Sequence, residues 1–181
     1  MITSLPILPF FFLAIAGWFL LHFFIRWSSG TFSGTYRALS VKDRSDWECR
    51  MIAGVHATAA AILAYPVLCD GLLLASQITR VYGENEYAQK VMAVSASYFV
   101  WDLYVSVKNF EEYGWGFTIH ALLCMAVFGN ALRPFLLYYG GVFLMYEATG
   151  PWVSTNIVFP FLRRNKQNKT QNEVNGKRAF R

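Results

Sequence analysis

Long apolar runs alternate with short polar connections along the chain. The first run, Leu5 to Ile25, has His22 as its single titratable group and matches the roughly 20 residues that cross a bilayer. No Lys or Arg precedes it, and it outlasts the apolar region of a secretory leader, so an uncleaved anchor is expected. Arg26 to Arg50 is polar, and Ser28, Ser29, Gly30, Ser33 and Gly34 read as a loop. Ser45 or Asp46 is placed to cap the helix that follows. The second run, Met51 to Ser76, is rich in Ala in its early half, and small residues let helices approach closely in lipid. Pro66 is expected to bend it.

After a connection from Gln77 to Lys90 comes a third run, Val91 to Val107. Glu111, Glu112, Gly114 and Gly116 predict a turn into the fourth, Phe117 to Leu132, which Arg133-Pro134 ends. The fifth run, Phe135 to Leu162, is interrupted by Gly150-Pro151 and is therefore kinked or split. From Arg163 the chain is basic and rich in Asn, Gln and Lys, a composition expected to be disordered. The pattern predicts an all-α, multi-pass transmembrane bundle of about five spans. Residues 1–46 form an anchor and cytoplasmic loop, 47–162 the main membrane domain, and 163–181 a cytoplasmic tail.

Composition supports a bilayer as the solvent. Of 181 residues, 55% are hydrophobic and only 15% charged, against roughly 25% in an ordinary soluble domain. The net charge is +5, but the basic residues flank apolar spans instead of forming a basic folded face, which argues against nucleic acid as a partner. They are also unequally shared between the two sides. With five spans, Arg80, Lys90 and Arg133 fall on one side and the remaining Lys and Arg on the other. Positive loops stay cytoplasmic, so the N-terminus is expected outside and the C-terminus inside. The 3 cysteines, Cys49, Cys69 and Cys124, are odd in number and lack a C-x-x-C spacing. Neither a disulfide framework nor a zinc site is expected from them, and they read as small apolar fillers.

Four spans each carry an ionisable residue at a depth where a charge costs at least a few kcal/mol, roughly 2.5–3.5 on insertion scales. They are His56, Asp102, His120 and Glu147. In the third run Ser95, Tyr98, Asp102, Ser106 and Asn109 step by three or four and form one polar stripe; Phe99, Val100, Leu103 and Val107 lie opposite. Gly116, His120 and Cys124 share a face of the fourth. His56 stands on an Ala-rich background past Arg50, which can snorkel to the interface. Glu147 precedes the Gly150-Pro151 break, where freed backbone groups need protein or water. His22, alone near the cytoplasmic end of the first run, reads as interfacial. Taken singly, each group can be a helix-packing hydrogen-bond hub. Together they predict a shared wet cavity, where histidine and carboxylate can shuttle a proton, activate a hydroxyl or amine, or orient a lipid head group.

The order of these residues resembles a known family. R-x-x-x-x-x-H-A (Arg50 to Ala57), Y-F-x-W-D (Tyr98 to Asp102), G-F-x-x-H (Gly116 to His120) and E-x-T-x-P (Glu147 to Pro151) are similar in order and spacing to the TLC domain family (TRAM, LAG1 and CLN8 homology), over about Trp47 to Pro160. The resemblance implies a multi-span helical protein of the endoplasmic reticulum or a related membrane, linked to lipid synthesis, transport or sensing. The ceramide synthases of that family acylate a sphingoid amine with acyl-CoA and carry two adjacent histidines where this chain has Ile119-His120. This chain therefore resembles the non-synthase members, and it is shortened where the family usually has a further span.

The expected site is a cavity lined by His56, Tyr98, Asp102, Ser106, His120 and Glu147, opening toward the cytoplasmic half. Membrane lipids are the expected ligands, in membrane lipid homeostasis. An alternative is an acyl-CoA-dependent N-acyltransferase with His120 as general base or acyl acceptor and Asp102 orienting it. A second alternative is a structural module whose open groove receives a membrane-protein partner or another copy. No cofactor or metal is implied.

Overall fold

A computed structural model describes residues 7–147. They form helices joined by short connections, with no strand among the described residues. Helix α1 runs Ile7–Phe32 and is apolar on every side. Only Trp18 and Ile25 of it are buried, while Phe12, Leu13, Leu20 and Phe23 are all well exposed. A helix that is apolar all round belongs in a core or in lipid, and its exposure selects lipid. It also passes straight through Ser28, Ser29 and Gly30, where a loop is expected. Ser28 and Thr31 turn their hydroxyls back onto the carbonyls of Ile25 (3.2 Å) and Trp27 (2.9 Å), so they do not compete with the helix. Arg37 Nη1 then donates to the last carbonyls, Gly30 O at 3.1 Å and Thr31 O at 2.8 Å, a favourable place for a cation.

Ser33 caps the short α2, Gly34–Arg37. The next helix, α3, spans Val41–Leu68 and starts earlier than expected. Its cap is Ser40, whose Oγ accepts from the Asp43 N–H (3.2 Å) and donates to the Asp43 carboxylate (2.7 Å). Ser45 and Asp46 lie inside the helix, and Asp46 pairs with Arg50 at 2.8 Å. Pro66 falls in the last turn of α3. Two short helices, α4 (Gly71–Leu74) and α5 (Gln77–Tyr82), follow, capped by Asp70 and Ser76. Asp70 also accepts from Asn85 Nδ2 at 2.8 Å, and Asn85 caps α6, Glu86–Lys108.

Helix α6 is the centre of the molecule, packing most extensively on α1 and on α7, Phe110–Gly129. Its polar stripe is buried at Ser95, Tyr98 and Ser106, and Phe99 and Trp101 are buried as well. The helix is thus enclosed on more than one side over its middle turns, and its far end opens at Tyr104 and Val107. The expected turn between the third and fourth runs narrows to Asn109 and a single break at Gly114, φ 66° and ψ −170°, a conformation open to glycine. A 3₁₀ turn, Asn130–Leu132, leads to α8, Leu137–Glu147. Helix α8 lies tightly on α3 and α6: a Cβ at Gly141 would stand 3.1 Å from Val67 Cγ1, and one at Gly140 2.5 Å from Met92 Sδ.

The connections segregate to two ends. At one, Lys42 Nζ meets Glu112 Oε1 at 3.2 Å. At the other, the Leu136 N–H donates to Val81 O at 2.7 Å and Asp70 holds Asn85. Helices α1 and α3 are each long and apolar enough to cross a membrane. The Gly150-Pro151 break and the basic tail from Arg163 lie outside the described residues.

Candidate functional site

His56, on α3, is 2% exposed. Its ring stacks on Tyr98 of α6, centroids 3.7 Å apart and planes 5° apart, with Trp18 and Phe99 edge-on at 5.7 and 5.5 Å. Its Nε2 is buried without a hydrogen-bond partner, a costly condition for a polar atom and one that native interiors seldom leave unexplained. Trp18 Nε1 donates to Ser97 Oγ at 3.0 Å, so the neighbouring indole is already satisfied.

Phe99 also reaches the second group, lying edge-on to His120 at 6.1 Å. His120 and Cys124 are one turn apart on α7, with Sγ 3.8 Å from both ring nitrogens. Helix α8 brings Glu147 to them, and one donor atom from each of the three residues lies within 4.8 Å of the others. Asp102 is half-buried on α6, one helical turn beyond Tyr98. Ser106 is buried a turn beyond Asp102.

The expected residues thus fall into two adjoining groups joined through Tyr98 and Phe99. One is aromatic and closed around His56; the other is polar and more open, around His120. No hydrogen bond joins Asp102 to His120 among the described residues, and the nearest partner of that imidazole is the Cys124 thiol.

A further polar cluster escapes the sequence reading. His22, expected at the interface, instead pairs with Glu48: Nε2 lies 2.9 Å from Oε2. Trp101 Nε1 donates to His22 Nδ1 at 3.2 Å. An indole only donates, so Nδ1 must be bare and the proton sits on Nε2, directed at the carboxylate. The Tyr36 hydroxyl donates to the other Glu48 oxygen. Burial, then the adjoining Glu48 carboxylate, push the Tyr36 hydroxyl up to about 12. Helical spacing offers the one available sequence signal: Glu48, Ile52 and His56 recur every fourth residue and all three are buried. His22 has no comparable local cue, because its partners lie on α3 and α6.

No solved structure matches the chain. Residues 46–174 match the TLC domain family. An uncharacterized TLC domain-containing protein of Schizosaccharomyces pombe is 30% identical over 141 residues, 78% of this chain and 47% of that protein. Topoisomerase I damage affected protein 4 of Saccharomyces cerevisiae is 38% identical over 96 residues, 53% of this chain and 34% of that protein. TLC domain-containing protein 4-B of Xenopus laevis is 27% identical over 164 residues, 87% of this chain and 60% of that protein. The chain spans less than two thirds of the length of each of these relatives. Its two long apolar helices and the extent of the family match point to a membrane protein, and the chain belongs to the TLC domain family.

Proposed function

We propose that this chain binds, senses or handles a membrane lipid, with the His56–Tyr98 pair and the neighbouring Asp102, Ser106, His120 and Glu147 as its recognition groups. The observation that carries this reading is the buried, unpartnered Nε2 of His56 inside an aromatic enclosure. A lipid hydroxyl, amide or ester reaching that nitrogen would satisfy it, and the surrounding rings would accept the adjoining apolar atoms. Asp102, His120 and Glu147 place two carboxyl groups and an imidazole beside it, suited to a polar head group. The accompanying topology is five spans with the N-terminus outside and the C-terminus cytoplasmic, in the endoplasmic reticulum.

Lipid mass spectrometry of the full chain, purified in mild detergent, tests the reading. A discrete lipid class enriched over the bulk membrane is expected, and His56→Phe, which keeps the ring stack and removes both nitrogens, should lower its retention. A lipid profile equal to bulk membrane, or one unchanged in the Phe variant, would count against it.

A further inference from the structure

We propose that His120, Cys124 and Glu147 form a binding site for a zinc-type divalent metal ion. The proposal does not rest on the lipid reading, which is carried by His56, although His120 and Glu147 enter both. His120 and Cys124 share one face of α7 because they are four residues apart, one helical turn. Glu147 arrives from α8, and its carboxylate, the imidazole and the thiol each have one donor atom within 4.8 Å of the others. Zinc bonds of about 2.3 Å to sulfur and about 2.0–2.2 Å to nitrogen and oxygen set tetrahedral ligands roughly 3.2–3.8 Å apart. The Cys124 Sγ and the His120 ring nitrogens are already 3.8 Å apart. The three donors therefore need to close in by only about an ångström, within the reach of side-chain rotation.

The donor set itself selects the metal. A thiolate with an imidazole favours zinc over magnesium or calcium, which take oxygen ligands. Three protein ligands leave a fourth position open, as in zinc sites that hold a water or an exchangeable ligand. When the ion enters, the Cys124 thiol releases its proton to solvent and binds as the thiolate. Cysteine spacing alone gives no sign of this, because the third ligand comes from another helix.

The test uses the full chain in detergent, stripped with a chelator and given zinc chloride alone, or cobalt(II) as a coloured substitute. One ion per chain is expected. Cobalt should produce the near-ultraviolet charge-transfer absorption of a metal thiolate. Cys124→Ala should abolish that band, and His120→Ala and Glu147→Gln should each weaken zinc binding by at least about tenfold. Cys49→Ala and Cys69→Ala should change neither. On the wild-type chain, zinc should protect Cys124 from alkylation without protecting Cys69, a readout that needs no variant to fold. Absence of stoichiometric binding, a thiolate band that survives Cys124→Ala, or zinc that leaves Cys124 alkylation unchanged would overturn the site.

Discussion

The His56 imidazole lies flat against the Tyr98 phenol, 3.7 Å between centroids. The ring is packed among Tyr98, Trp18 and Phe99, yet its Nε2 contributes no bond to the described residues. His56→Ala should therefore cost about 2–4 kcal/mol through the void it leaves. His56→Phe should fall within about 1 kcal/mol of wild type or exceed it, because an apolar edge replaces an unsatisfied one. Equilibrium unfolding in detergent separates the two. A Phe variant as weak as the Ala variant would mean that the nitrogen makes a bond essential to the fold.

The His22–Glu48 pair calls for a double-mutant cycle. Glu48 accepts from both His22 and Tyr36. Glu48→Ala should cost about 1–3 kcal/mol, since it leaves two donors without their acceptor. With His22→Phe as the second change, the coupling should lie between about 0.5 and 3 kcal/mol. Strict additivity would show that the pair is an incidental contact.

Tyr36 sets a pH dependence at the alkaline end. Its hydroxyl is pushed up to about 12 in the folded chain from an ordinary value of 10.0. A group whose folded value is raised contributes stability in full below its unfolded value and loses it as pH climbs through the folded one. The contribution should be complete below about pH 10 and gone by about pH 12. Ultraviolet titration should lose one late-ionising phenol in Tyr36→Phe. A difference spectrum centred near pH 10 would contradict the environment described for this residue.

Two glycines should respond in opposite directions. A Cβ at Gly141 meets Val67 Cγ1 at 3.1 Å and Leu68 Cδ2 at 3.3 Å, whereas one at Gly17 meets nothing within 4 Å. Gly141→Leu should force α8 away from α3 and cost about 1–3 kcal/mol. Gly17→Ala should be neutral or stabilise by up to about 1 kcal/mol, since it only restrains the unfolded backbone. Thermal unfolding of both variants decides the matter.

Periodicity exposed what one helix contains and concealed what joins two. The stripe through Ser95, Tyr98 and Ser106 was readable because residues three or four apart share a face, and all three are buried. Ser28, Ser29 and Gly30 carry loop propensity, yet α1 continues through them and Arg37, seven residues beyond Gly30, holds the final carbonyls. Ser45 and Asp46 carry capping propensity, although Ser40, bonded to Asp43, is the cap of α3. His22 reads plainly for the same reason: its partners, Glu48 and Trp101, come from helices whose approach no single-helix pattern encodes.

Gly114 interrupts α7 between Glu112, tied to Lys42, and His120. A continuous helix would transmit a twist at its first turn along its whole length; a glycine at φ 66° swivels instead. That break separates the Lys42 contact from the turn that carries His120, and the ring is met instead edge-on by Phe99 of the middle helix.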